Sequence, residues 1–178
     1  TRSAAGIVNL APYSFFNLVG VRPPYVMLAS IGRKDTQRNI ETTGEFVCNL
    51  ATYRLRDAVN RSSAAVEATI SEPERLGLPL CESQSVGVPR LADSPAALEC
   101  RYWKTVDIPG ADGAENAAVI FGEVVGVYID DSIIVDGRVD YRRADPIARL
   151  GYLDYGTLGE IFSAPRPSAD DLAARAAE

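Results

Sequence analysis

The sequence predicts a mainly β domain, an all-β barrel or an α+β variant of one. Three observations lead there. Two long strand candidates, 97–108 and 117–129, flank a stretch from Pro109 to Glu115 with hairpin or loop chemistry. Short apolar runs at Tyr25–Ile31 and Phe46–Leu50 read as buried strands. Helical signals are few and brief, and Gly and Pro punctuate the remainder.

Taken in order, Gly6–Ala11 reads as the end of a strand entering NLAPYSFFN, Asn9–Asn17, which fits neither a period of two nor one of 3.6. Pro23-Pro24 resists both helix and central strand, and Tyr25–Ile31 follows as a strand before Gly32. Asp35 or Thr36 can cap a helix whose inward residue is Ile40, and Gly44 supplies its stop. After the Phe46–Leu50 strand, Tyr53–Asn60 predicts a second helix with Leu55, Ala58 and Val59 on one side. Residues 62–88 read as a loop-rich excursion with one or two short helices. Beyond the long hairpin, Asp130-Asp131 and Asp136-Gly137 are turn signals around Ile133–Val135. The Gly/Tyr-rich stretch 148–156 shows little regular character. Pro165–Pro167 closes a domain spanning 1–167, and 168–178 reads as a terminal helical tail capped by Ser168 or Asp170.

At 178 residues the chain is long enough to bury a core without staples. Its net charge of −6 argues against a nucleic-acid or anionic-membrane surface, and no apolar run reaches the about 20 residues of a membrane span. Cys48, Cys81 and Cys100 are odd in number and isolated, so free thiols in a reducing cytoplasm are expected. Histidine is absent, which removes the usual general base and the Ser-His and Cys-His nucleophile arrangements. Chemistry, if any, would come from another side chain or from a bound cofactor.

Two segments carry that possibility. A helix start at Lys34-Asp35-Thr36 offers unpaired backbone N–H groups, with Arg33 and Lys34 adding charge and Ser30 and Thr36 hydroxyls: a phosphate cradle or an ordinary solvated helix end. The aromatic run at Tyr13–Phe16 could wall a flat ring or simply fill a core corner, and Ser14 and Asn17 could bond the ring's polar edge. Tyr102 and Trp103 read as packing residues, and Asp130, Asp131 and Asp136 as turn residues.

Together NLAPYSFFN, the Pro-Pro pair, KDTQRNIETTGEFVCNL, SPAALEC, FGEVVGVYIDD and DPIARLGYLDY resemble, in order, the flavin reductase-like family of FMN-binding split barrels, from Gly6 to Pro167. That resemblance implies a six-stranded antiparallel Greek-key split barrel with flanking helices, and a homodimer with FMN near its interface. It implies that Tyr13, Ser14, Phe15, Phe16 and Asn17 line the flavin ring and that Ser30, Lys34, Asp35 and Thr36 hold the phosphate and ribityl end. Arg149, Leu150, Gly151 and Tyr152 would also approach the flavin. Relatives often carry an N-terminal strand with a Pro-Arg-Pro sequence, and such a strand is expected to be missing from this chain, which begins at Thr1. The implied function is an NAD(P)H-dependent flavin reductase passing hydride to flavin N5, with a flavin-dependent oxygenase as one acceptor. A flavoprotein oxidase or oxygenase acting on a small organic substrate, and a non-catalytic FMN electron carrier, stay open as alternatives. No GxGxxG fingerprint is present, so nicotinamide would bind without a Rossmann domain.

Overall fold

The structure, a computed structural model, describes residues 1–112, 114 and 116–169 of the chain. Its main sheet is built from β1 (Phe16–Val21), β2 (Pro24–Ile31), β3 (Glu45–Asn49), β6 (Ala96–Ile108) and β7 (Ala117–Ile129). The five strands run antiparallel in the order β1-β2-β7-β6-β3. The mainly β expectation holds, with five strands in this sheet where the resemblance implies six.

Alternation explains which face becomes the core. Val26, Leu28 and Ser30 on β2 are buried, while Tyr25, Met27 and Ala29 between them are not. On β7 the inward set is Ala118, Ile120, Gly122 and Val124. Val26, Leu28, Ile120 and Val124 meet Phe46 of β3, Cys100 of β6 and Ile40 of the first helix in one apolar cluster. That helix, α1 (Asp35–Thr43), begins after Lys34 and ends on Gly44 at φ 77°, a left-handed position that suits glycine. Gly122 is set by packing: a Cβ there would lie 2.3 Å from Phe46 Cζ.

The β6–β7 hairpin bends through register shifts at Glu99/Cys100 and Tyr102/Lys104. At the second shift Tyr102 packs on the core, but Trp103 turns outward against Tyr25 and Phe121, at centroid distances of 5.3 and 5.9 Å.

The second helix forms as a 3₁₀ turn at Tyr53–Leu55 followed by α2 (Arg56–Arg61), and the excursion carries α3 (Glu72–Leu76) and β4 (Leu80–Cys81), which pairs with β5 (Arg90–Leu91) just beyond it. Carboxylates pin it down. Glu99 accepts from the Gln84 and Ser85 amides at 3.0 and 2.5 Å, and Glu45 from the Gly87 amide at 2.7 Å. Past β7, Asp136 and Gly137 both adopt positive φ and turn β8 (Ile134–Val135) into β9 (Arg138–Val139), as the sequence predicts. The four-residue helix α4 (Tyr141–Ala144) follows.

Three expectations need correction. Residues 6–11 contain no strand beyond an isolated bridge between Arg2 and Val8; Gly6 turns the chain at φ 86°. Instead the aromatic run itself enters the sheet as β1, an edge strand whose apolar residues on both faces hide its period. The 148–156 stretch is regular after all: β10 (Ile147–Arg149) and β11 (Tyr155–Thr157) form a hairpin. The helix expected beyond Ser168 falls, apart from Ala169, outside the described residues. Among the described residues no helix is long and apolar enough to cross a membrane.

Candidate functional site

A cavity of about 930 Å³ opens where the segment before β1, the start of α1, the end of β3 and the β10–β11 hairpin converge. Chain connectivity brings those pieces together. The Ile147 amide bonds the Ala51 carbonyl at 3.0 Å and the Tyr53 amide bonds Asp145 at 3.0 Å, so the hairpin stands against the entry to α2. On the other side the Asn9 carboxamide donates to Thr36 Oγ1 at 3.0 Å and to Thr1 Oγ1 at 3.1 Å, holding the pre-β1 segment on the first turn of α1.

Of the residues singled out from sequence, Tyr13, Ser14, Phe16, Thr36 and Arg149 line this one cavity. Arg149 stacks its guanidinium over the Tyr155 ring at 4.7 Å and donates to the Tyr152 carbonyl across the hairpin turn. The others stand elsewhere. Phe15 and Asn17 are exposed, and Asn17 Oδ1 accepts from the Leu18 amide at 3.0 Å. Leu150, Gly151 and Tyr152 form the exposed hairpin tip, with Tyr152 at φ 58°.

The KDT segment divides by environment. Ser30 is buried and donates its hydroxyl to the Gly32 carbonyl at 3.0 Å, while Thr36 is buried on Asn9. Asp35 pairs with Arg38 along the helix. Lys34 is exposed at the N-cap and forms no ion pair among the described residues. Arg33 is held by Glu41 at 2.6 Å, and Glu41 also accepts from Gln37 and Thr105, each at 3.0 Å. Burial pushes the Glu41 carboxyl up, but those donors and the Arg33 charge outweigh it and leave the group below the ordinary glutamate value.

Several wall residues escaped sequence reasoning as site members: Asn9, Asn49, Tyr128 and Tyr155, along with Cys48. Single polar residues interrupting apolar runs, as Asn9 and Asn49 do, were the available signal. Cys48 is half-buried on the wall rather than enclosed, and the neighbouring Cys100, whose thiol donates to the Leu98 carbonyl at 3.6 Å, is pushed up by its interaction with Cys48 and by burial. The cysteines are free, as expected.

Three features bear on whether these residues suit FMN. No side chain caps the start of α1, leaving its first amides and Lys34 available to an anion. The rings of Tyr13, Phe16 and Tyr155 offer apolar faces to a flat ligand. The Tyr13 hydroxyl is buried in the wall without a hydrogen-bond partner among the described residues, a cost that a partner would relieve. The donor set fits a planar molecule with an anionic arm.

Residues 1–145 match the flavin reductase like domain, and the chain belongs to that family. A protein of Halalkalibacterium halodurans is 38% identical over 94% of this chain and 83% of its own length. YwrF of Bacillus subtilis is 33% identical over 94% of this chain and 85% of its own. Among solved structures, nitrilotriacetate monooxygenase component B of Bacillus cereus superposes with a TM-score of 0.86 at 29% identity, covering 92% of this chain and 83% of that one. The 2-nitrobenzoate 2-nitroreductase NbaA of Pseudomonas fluorescens gives 0.79 at 31%, covering 94% and 82%. A split-barrel flavin reductase of Shewanella frigidimarina shares the fold at 23% identity, with a TM-score of 0.79.

Proposed function

We propose that this chain is an FMN-binding oxidoreductase that draws hydride from NAD(P)H, working as a cytoplasmic homodimer with the flavin near its interface. The observation that carries the reading is the convergence of Tyr13, Ser14, Phe16, Thr36 and Arg149 on one cavity beside an uncapped helix start. Bound FMN would supply the two-electron redox chemistry, leaving the protein to bind and orient it.

The protein's part is placement and charge. Lys34 and the first amides of α1 would hold the phosphate, with Ser30, Asp35 and Thr36 shaping the turn that presents them. Tyr13, Phe15 and Phe16 would bound the ring, and Ser14 and Asn17 would bond its polar edge. Arg149 would bring positive charge to the ring, where negative charge grows on reduction, with Leu150, Gly151 and Tyr152 closing over it. The exposed apolar residues Phe15, Leu18, Val19 and Val21 on and beside β1 support a partner copy covering that edge.

The Bacillus cereus neighbour is one component of a monooxygenase, which supports delivery of reducing equivalents to a separate oxygenase. The test is to mix FMN-loaded protein with NADH or NADPH without oxygen and follow the flavin's visible absorbance. Bleaching by either nucleotide is expected. A flavin that stays oxidised with both would overturn the reductase reading.

A further inference from the structure

Two arginines stand at the cavity, each laid over a tyrosine of its wall. Arg149 stacks on Tyr155 at 4.7 Å and is one of the flavin candidates. Arg90 stacks on Tyr128 at 3.5 Å, and it lies between Pro89 and Leu91, which line the wall together with Tyr128. None of the flavin candidates comes from this second wall, which α2, β5 and the end of β7 supply.

Arg90 is fixed in place without being neutralised. Its backbone pairs with Cys81 across the β4–β5 ladder, and the next amide, that of Leu91, donates to Asn49 Oδ1 at 2.9 Å. The side chain makes one hydrogen bond among the described residues, from Nη1 to the Leu91 carbonyl at 3.5 Å, the outer limit of such a bond. It forms no ion pair among the described residues. Asp130 feels its charge, but Asp130 Oδ2 accepts from the Tyr128 hydroxyl at 3.1 Å and Oδ1 from the Ser132 amide at 2.8 Å. A guanidinium laid flat on a ring keeps its N–H donors at its edge, free for an anion. On the same wall the Asn60 carboxamide makes no hydrogen bond among the described residues, so the wall is open to a polar ligand.

A dinucleotide reductant brings a flat ring to the flavin and trails phosphates behind it. This chain has no Gly-rich fingerprint to hold those phosphates on a helix start, so a side-chain cation is needed. We propose that Arg90, preset on Tyr128, is the phosphate-binding residue for the reductant and sets how tightly NAD(P)H is held. This deepens the reductase reading and rests on it. The pyrophosphate and the 2′-phosphate share the chemistry that Arg90 would recognise.

The test is equilibrium dialysis of ADP-ribose and of its 2′-phosphorylated form against FMN-loaded and FMN-stripped protein. Arg90→Ala should weaken the recognised form about tenfold and leave FMN content unchanged. Loss for both forms would assign the pyrophosphate, and loss for the 2′-phosphorylated form alone would assign the 2′-phosphate. Arg90→Met, which keeps the stem over Tyr128 without the charge, should lose as much as alanine, and Arg90→Lys should recover part of it. In the loaded protein KM for the reductant should rise about tenfold with kcat held. Binding that is absent in the parent, indifferent to Arg90 or restored by methionine would overturn the proposal, as would a fall in kcat at constant KM. Arg90-dependent binding of ADP-ribose by a protein that takes up no FMN would leave the phosphate site standing and sink the flavin reading instead.

Discussion

The Asn9 carboxamide and the Thr36 hydroxyl, 27 residues apart in sequence, meet at 3.0 Å in a buried contact. That bond joins the segment leading into the aromatic run to the first turn of α1, the two pieces proposed to hold opposite ends of one cofactor. Asn9→Ala would leave Thr36 without its donor at a largely buried contact on the cavity wall. A loss of about 1–2 kcal/mol is expected, read from the denaturant midpoint, together with weaker FMN binding. If the contact couples the segments, Asn9→Ala and Thr36→Val will be non-additive in a double-mutant cycle. Additive losses would mean the two segments are held independently.

Lys34 tests the phosphate end separately from the ring. Because it is exposed and unpaired among the described residues, Lys34→Ala should leave the fold and its denaturation midpoint unchanged. FMN affinity should fall about tenfold, the size of one lost charge-assisted contact. Riboflavin, which lacks the phosphate, should bind the variant and the parent alike. An equal loss for both flavins would place Lys34 at the ring and not at the phosphate.

Glu41 gives a pH signature. Its folded carboxyl lies below the ordinary value, so it stabilises the fold above the unfolded glutamate range and loses that contribution as pH falls through the folded value. Glu41→Gln should therefore destabilise by about 1 kcal/mol near neutrality, discounted because Arg33 is largely exposed, and less below about pH 4. Urea melts of both proteins at two pH values check this. A difference independent of pH would assign the loss to packing.

How much of this was legible beforehand depended on periodicity. The long β6–β7 hairpin announced itself through sustained apolar runs, and the Asp136-Gly137 turn through residues that tolerate positive φ. Strand β1 did not, because an edge strand with apolar residues on both faces has no buried side to set a period of two. The β10–β11 hairpin was hidden for a different reason: its strands are three residues each, too short to carry a pattern. Within the site, ordered motifs pointed to Tyr13, Ser14, Phe16, Thr36 and Arg149, which line the cavity. Asn49 and Tyr128 join them only through long-range pairing, which no local signal in the sequence reports.

Gly122 tests the core that supports this arrangement. A methyl there would meet Phe46 Cζ at 2.3 Å and Cε1 at 2.4 Å, with the Arg101 carbonyl at 3.1 Å, and Phe46 is only 1% exposed. Gly122→Ala should cost about 1–3 kcal/mol by overpacking, measured as a lowered midpoint with an unchanged m-value. A neutral result would mean that Phe46 can move aside, and that this core is looser than its burial implies.

The central claim is that the cavity holds FMN, and the most direct measurement is the visible absorption spectrum of the purified, untagged protein. Whatever heat releases would then be identified by chromatography, and protein that purifies colourless would be titrated with FMN. Two visible flavin bands, retained after purification or restored by added FMN, with FMN in the released fraction, are the result this account predicts. A colourless protein that leaves the spectrum of added FMN unchanged would contradict it.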